Sequence, residues 1–269
     1  MIAQPLTIRE GMMRVPMDID LNADVGESFG PWPMGDDGRL IPLVSSVNVA
    51  CGFHAGDPAT IERTVRLAVA AGVAVGAHPG YPDLAGFGRR ELAMPATELE
   101  AAILYQVAAV AAFARDAGVE LHHVKAHGAL YNAAARDDAI AETIASAVRR
   151  FSHDVVLYGL AGSRLLDAGR AAGLAVAAEA FPDRAYEADG SLRSRSRPDA
   201  VLTDSGVIAS RAVSMARDHR IAAVDGSIVE LDARTLCLHG DTPGAAEHAA
   251  AVRAALDAAG IGVRPVARG

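Results

Sequence analysis

Short apolar runs alternate along the chain with longer segments in which apolar residues recur at helical spacing. The short runs are built from Val, Ile, Leu and Ala and end near Gly, His or Asp, as buried strands do. They predict seven strands, at 18–23, 46–51, 73–78, 121–127, 154–160, 174–180 and 235–240.

The longer segments predict six helices between and after these strands. In the second of them, Leu99, Ile103, Val107 and Val110 share one helical face. Several begin behind Asp, Thr, Ser or Pro, which favour the first positions of helices. The predicted helices lie at about 58–71, 95–117, 136–150, 162–172, 205–219 and 244–259.

Strand–helix alternation of this kind predicts a parallel sheet with helices outside it and right-handed crossovers. We therefore expect a single α/β domain over residues 18–269. Residues 1–17 lack the apolar stretch of a signal peptide and are expected to form an N-terminal extension. The polar, arginine-rich stretch 183–200 is too long for a strand–helix turn and predicts an active-site loop.

Composition narrows the functional classes. Only 4% of the 269 residues are aromatic, so aliphatic side chains must fill the core, and the net charge of −8 argues against nucleic acid or an anionic membrane as partner. No apolar run looks long enough to span a membrane. Two cysteines, Cys51 and Cys237, do not make a disulfide scaffold, and both are expected to be buried strand residues. These features favour a cytoplasmic protein with a small-molecule substrate.

Polar side chains collect where the predicted strands end. The carboxyl ends of parallel strands are where α/β proteins build their sites. One histidine on a strand is usually structural, but recurrence at successive strand ends favours an active site. The residues in question are Asp24, His54, His78, His127, Glu179, His239 and Asp241.

Lys125 is the only lysine among 25 cationic residues. Strand alternation places it on one face with His123 and His127. We expect it at a solvent-filled mouth, where an ammonium can stabilise an anion or a developing oxyanion. The alternatives are a structural ion pair and a surface lysine.

Six stretches of this sequence resemble the successive motifs of the LamB/YcsF family, in unbroken order from about residue 18 to 265. They are DLNADVGESFG (20–30), NVACGFHAGDP (48–58), GAHPGYPDLAGFGRR (76–90), HVKAHGALYN (123–132), EAFPDRAYEADGSL (179–192) and LCLHGDTPGA (236–245). One departure is Ala126, where the family usually has proline. The resemblance implies a seven-stranded parallel (β/α) barrel similar to the glycoside hydrolase/polysaccharide deacetylase fold.

The resemblance also implies an activity. The family contains the A subunit of an ATP-dependent 5-oxoprolinase, which opens the lactam of 5-oxo-L-proline to L-glutamate with partner subunits B and C. ATP would be the co-substrate. Because the chain has no G-x-x-x-x-G-K-[ST] motif, we expect ATP to be handled with the partners. Whether the chain also forms a homo-oligomer is left open.

Such a reaction needs a base for water, a cation for the oxyanion and a group for the substrate carboxylate. Asp24 or a neighbouring histidine suits the first role, Lys125 the second and an arginine the third. The expected catalytic residues are Asp24, His54, Lys125, His127 and Glu179. The expected substrate-binding residues are His78, Arg89, Arg90, Arg184, His239 and Asp241.

Two other functions remain open from the sequence. Asp24, His54 and His78 are ligand types of a divalent metal, which would suit a metal-dependent deacylase acting on a carbohydrate or amide, although none of the three stands in an H-x-x-x-H or H-E-x-x-H motif. A non-catalytic subunit that binds the lactam for its partners is the second alternative.

Overall fold

Seven parallel strands close into a barrel in the computed structural model, which describes residues 17–268. Each strand pairs with the next along the chain, and the last returns to the first, where Asn22 pairs with Cys237. The predicted seven-stranded parallel barrel is thereby confirmed. Its strands are β1 (Met17–Val25), β2 (Ser46–Ala50), β3 (Ala74–His78), β4 (His123–Lys125), β5 (Val156–Leu160), β6 (Val176–Ala180) and β9 (Thr235–Leu238).

Helices surround the barrel, and most connect one strand to the next. Five of the six predicted helices agree with the structure to within two residues at each end, and the remaining one ends early, at Val213, and continues as a π-helical turn over Ser214–Asp218. The helices are α1 (Asp37–Leu40), α2 (Pro58–Ala70), α3 (Ala96–Asp116), α4 (Gly128–Arg136), α5 (Asp138–Phe151), α6 (Arg164–Ala171), α7 (Ser205–Val213) and α8 (Ala245–Ala258).

Several elements were not predicted. Helices α1 and α4 are among them, and so is the antiparallel hairpin of β7 (Arg220–Ala222) and β8 (Ile228–Glu230). Strand β10 (Ile261–Val263) is another, and it pairs with the start of β1 outside the closed ring. The predicted extension over 1–17 lies outside the described residues, except that Met17 begins β1.

The apolar core lies between the barrel and its helices. Outward-facing residues such as Val47, Val49 and Val75 are almost completely buried under this layer. Helix α3 contributes its predicted face, including Leu99 and Ile103. Burial of one such aliphatic side chain stabilises the fold by about 1.5–3 kcal/mol.

Helix α3 corrects one expectation from the sequence. Its 21 residues are long and apolar enough to cross a membrane by length and composition. That is weak evidence, because core helices of soluble proteins also meet these two criteria. In this fold α3 packs against α2, α5 and β3.

The barrel interior is polar, and Asp20 is the centre of its lowest layer. Its carboxylate accepts hydrogen bonds from Ser45, Ser46, Tyr158 and Thr235 at 2.6–3.0 Å. Burial raises the pKa of Asp20, although these four hydroxyl groups oppose the shift. The layer ties β1 to β2, β5 and β9, so it holds opposite sides of the barrel together.

We expect Asp20→Asn to lower the free energy of unfolding by about 2–4 kcal/mol, because the amide cannot accept four hydroxyl donors and leaves buried groups unpaired. Urea unfolding followed by circular dichroism measures the change. Asp18→Asn is the matched control on the same strand: Asp18 is 41% exposed in its side chain, at 3.8 Å from Arg264, and should cost less than about 0.5 kcal/mol. Equal unfolding midpoints for the two variants would contradict a structural role for the Asp20 layer.

Candidate active site

Lys125 ends β4 and places its ammonium inside the barrel, between two carboxylates. Its Nζ lies 2.9 Å from Asp24 Oδ1 and 3.0 Å from Glu179 Oε1. The Cys237 sulfur is also 2.9 Å away. The three partners come from β1, β6 and β9, so the lysine joins distant parts of the ring.

The expectation that Lys125 lies at a solvent-filled mouth is wrong. The residue is only 2% exposed, and both carboxylates are buried with it. Burial opposes the charged form, but Asp24 and Glu179 outweigh it and hold the pKa of Lys125 well above its usual value. The same pairing, together with nearby His78, keeps the pKa of Asp24 well below its usual value despite burial. Lys125 is therefore a fixed cation, not a nucleophilic amine.

Two asparagines below the lysine orient these carboxylates. Asn48 Nδ2 donates to Asp24 Oδ1 at 2.8 Å and to Asn22 Oδ1 at 2.6 Å. Asn22 in turn donates to Glu179 Oε1 at 2.9 Å. His123 fixes the amide orientation of Asn48 by donating to its Oδ1 at 2.7 Å. The His123 ring fits because Gly76 faces it, where a Cβ atom would overlap the imidazole.

His78 and His127 meet above Asp24. His78 Nε2 lies 3.4 Å from Asp24 Oδ2 and 3.0 Å from His127 Nδ1. The outer nitrogens are committed as donors: His78 Nδ1 to the Lys125 carbonyl and His127 Nε2 to the Phe87 carbonyl, both at 2.8 Å. The two inner nitrogens therefore face each other with one extra proton, or one cation, between them.

Glu27 and His54 complete this group. His54 stacks on His127 with ring centroids 3.8 Å apart, and Glu27 Oε1 lies 4.0 Å from His127 Nδ1. Burial raises the pKa of Glu27 well above its usual value, and repulsion from Asp24 adds to the shift. Burial also lowers the pKa of His54 and of His127. Neither ring nitrogen of His54 has a hydrogen-bond partner among residues 17–268.

A cavity of about 800 Å³ opens above this floor and is bounded by the predicted active-site loop. Asp24, His78, Lys125, His127 and His239 line its floor. Five arginines line its walls, and they are Arg89, Arg136, Arg184, Arg193 and Arg195. The cavity thus has a mixed ionic floor and a cationic rim.

Most of these arginines already have carboxylate partners. Arg89 binds Asp241 at 2.6 Å, and Arg193 binds Glu187 and Asp199. Among the described residues, Arg184 and Arg195 form no salt bridge. Arg184 donates instead to the carbonyls of Ala200 and Arg193, and burial together with nearby Arg195 lowers its pKa to about 10.

Three other residues expected at the site are held in ion pairs of their own. His239 Nδ1 binds the buried Asp183 carboxylate at 2.8 Å, and this contact keeps the pKa of Asp183 below its usual value despite burial. Asp241 binds Arg89, and its charge adds to the effects of burial and Asp24 that raise the pKa of Glu27. Arg90 is paired with Asp83 and does not line the cavity.

Several site residues were not singled out from the sequence. They are Glu27, Asn48, Tyr131 and Asp183. All but Tyr131 are polar residues within the quoted motifs at or near strand ends, so position along the strand was a usable signal. Tyr131 lies on α4, which was not predicted. Its hydroxyl and Glu179 Oε2 are buried without a partner among the described residues.

Comparison with known proteins shows which family this chain is similar to. The LamB/YcsF family model matches residues 19–269. The A subunit of 5-oxoprolinase from Chloroflexus aggregans is 58% identical over 248 residues, covering 92% of this chain and 98% of the relative. The Bordetella pertussis protein of the same name is 52% identical over 246 residues, covering 91% and 98%. The crystal structure of a lactam utilization protein from Thermus thermophilus has a TM-score of 0.88 and 50% identity, covering 93% of this chain and 100% of that one.

We expect Lys125→Met to lower the free energy of unfolding by about 3–5 kcal/mol, because two buried carboxylates lose the cation that balances them. The double variant Lys125→Met/Glu179→Gln removes one of those charges and should recover a measurable part of the loss. Urea unfolding of the wild type and both variants tests this coupling. A double variant less stable than Lys125→Met would show that charge balance is not the reason.

Proposed function

The chain belongs to the LamB/YcsF family, and we propose that it is the subunit of a 5-oxoprolinase that opens the lactam of 5-oxo-L-proline to L-glutamate. The names of its relatives support this assignment, since they match more than nine-tenths of the chain at 52–58% identity. The feature of the molecule that supports it most is the buried Lys125 ammonium at the floor of a cavity rimmed by arginine. A fixed cation of this kind suits the oxyanion formed when water attacks a lactam carbon.

ATP is the proposed co-substrate, and subunits B and C are the proposed partners. An unactivated five-membered lactam is a poor electrophile, whereas phosphorylation of its oxygen would turn that oxygen into a leaving group. Water then attacks the ring carbon and the C–N bond breaks, which leaves an acyl phosphate, and a second water hydrolyses that acyl phosphate to the glutamate carboxylate and inorganic phosphate. The chain has no P-loop motif, so we assign nucleotide binding to the complex with the partners. Dependence on ATP also fits a cytoplasmic reaction.

Asp24 is the proposed group that orients the attacking water. Its Oδ1 is occupied by Lys125 and Asn48, while Oδ2 faces His78 and the cavity floor. Its carboxylate stays ionised because its pKa is held low. Lys125 would stabilise the negative charge that develops on the substrate oxygen.

Arg184 and Arg195 are the proposed site for the substrate carboxylate. Both line the cavity without a carboxylate partner among the described residues, whereas Arg89, Arg136 and Arg193 are already paired. A guanidinium binds a carboxylate through two parallel hydrogen bonds, which would fix the lactam ring relative to Lys125. Arg90, which the sequence also suggested, is less suited because Asp83 holds it outside the cavity.

Glutamate release from 5-oxoproline is the direct test of the proposed function. The purified chain alone should show little or no release, and addition of subunits B and C with ATP should produce it. Reactions without ATP are the control. Absence of glutamate from the complete mixture would refute the proposal, and binding of 5-oxoproline without turnover would favour the non-catalytic alternative.

We expect Arg195→Gln to raise the KM for 5-oxoproline about tenfold or more with a smaller change in kcat, because it removes ground-state binding of the carboxylate. Arg197→Gln is the matched control: it changes the same residue type on the same loop, but Arg197 is exposed and does not line the cavity. Steady-state kinetics of the full complex supply both constants. An unchanged KM for Arg195→Gln would place the carboxylate elsewhere.

A further inference from the structure

We infer that the group formed by Asp24, Glu27, His54, His78 and His127 is a binding site for a divalent first-row transition-metal ion. These residues come from β1, β3 and the segments that follow β1, β2 and β4. They form two sets of three donor atoms, each within 4.8 Å of one another, and Glu27 belongs to both sets. One set adds Asp24 and His78, and the other adds His54 and His127.

The spacing of the donor atoms fits ligands of a single ion. Two ligands of a tetrahedral ion, each about 2.1 Å from it, lie about 3.4 Å apart. Here His78 Nε2 is 3.4 Å from Asp24 Oδ2 and 3.0 Å from His127 Nδ1. Glu27 Oε1 is 4.0 Å from His127 Nδ1, a separation that a small side-chain movement would close.

The outer hydrogen bonds of the two histidines are those that metal-binding imidazoles use. In metal sites the nitrogen that does not bind the ion usually donates to a carbonyl or carboxylate, which aims the other nitrogen at the ion. His78 Nδ1 donates to the Lys125 carbonyl and His127 Nε2 to the Phe87 carbonyl. The two inner nitrogens are therefore left as acceptors 3.0 Å apart, and an ion beside them, about 2.1 Å from each, would satisfy both.

His54 provides an independent indication. Its side chain is completely buried, and neither nitrogen has a hydrogen-bond partner among residues 17–268. A buried imidazole without partners is costly unless something binds it. Backbone packing also fixes the stacked rings: a Cβ atom on Gly80 would lie 2.8 Å from His54 Nδ1, and one on Gly88 would lie 2.8 Å from His127 Cδ2.

The donor types select the class of ion. Imidazole nitrogens with carboxylate oxygens suit Zn²⁺, Co²⁺, Mn²⁺ or Fe²⁺, whereas Mg²⁺ and Ca²⁺ prefer oxygen ligands alone. Cys237 lies at Lys125 and does not belong to either donor set. An ion held here would lower the pKa of a bound water molecule at the cavity floor. Metal binding itself does not depend on the lactam activity, so it can be tested without substrate, ATP or partners.

Isothermal titration of the chelator-treated chain with Zn²⁺ and with Co²⁺ tests the site. We expect saturable binding that excess Mg²⁺ does not displace, and that weakens as the pH falls because protons compete for the ligands. Glu27→Gln and His127→Gln should each weaken binding roughly 100-fold or more. His219→Asn is the control: His219 is half-exposed, lies outside the group, and has a positive φ of 53° that asparagine tolerates.

Proton NMR of the wild-type Co²⁺ complex keeps the inference testable if a variant fails to fold. Three solvent-exchangeable, paramagnetically shifted imidazole N–H signals are expected, from His78 Nδ1, from His127 Nε2 and from the nitrogen of His54 that does not bind the ion. Absence of binding, binding that neither Glu27→Gln nor His127→Gln weakens, or a Co²⁺ complex without these signals would overturn the site. Glutamate release is measured separately, so failure of the metal site and failure of the proposed function remain distinguishable.

Discussion

A single buried ammonium constrains the whole interior of this barrel. Moving an isolated charge from water into a protein interior costs several kcal/mol, so Lys125 requires compensating charge in fixed positions. Asp24 and Glu179 supply it from β1 and β6, and Asn22 and Asn48 hold those carboxylates in place from below. Strand register, amide orientation and ion pairing must therefore all be satisfied together. An arginine in place of this lysine would need more room and more acceptors than the narrow ring offers.

The polar interior and the apolar shell contribute to folding in different ways. Alternation along each strand sends residues such as Asn48 inward and Val47 and Val49 outward. The apolar half packs under the helices, where small alanine side chains let helices approach closely in a chain with few aromatic residues. The polar half gains specificity instead of hydrophobic stabilisation, since its hydrogen bonds form fully only in one register.

The strands were predictable because they are short apolar runs, a pattern that depends only on burial, whereas their closure into a barrel was expected from the family resemblance. The residues at the strand ends could also be identified, since parallel strands bring their carboxyl ends together. Other features depend on tertiary contacts. Strand β10 has only three residues and forms because β1 extends beyond the ring. Helix α4 begins at Gly128, which has a positive φ, directly after a segment whose sequence is typical of a loop. No sequence pattern distinguishes Arg184, which lines the cavity, from Arg90, which does not. The contacts of each arginine depend on how the chain folds and not on its spacing along the sequence.

The long loop over the cavity explains how the site can combine a rigid floor with a recognition surface. Arg184 ties the loop to itself through the carbonyls of Ala200 and Arg193, and Arg193 adds salt bridges to Glu187 and Asp199. These contacts order the rim before a ligand arrives, which reduces the conformational entropy lost on binding. Under the proposed function, the carboxylate of the substrate would meet this preformed rim while its lactam faces Lys125. Recognition and chemistry would then depend on separate parts of the chain, held at a fixed distance by the barrel.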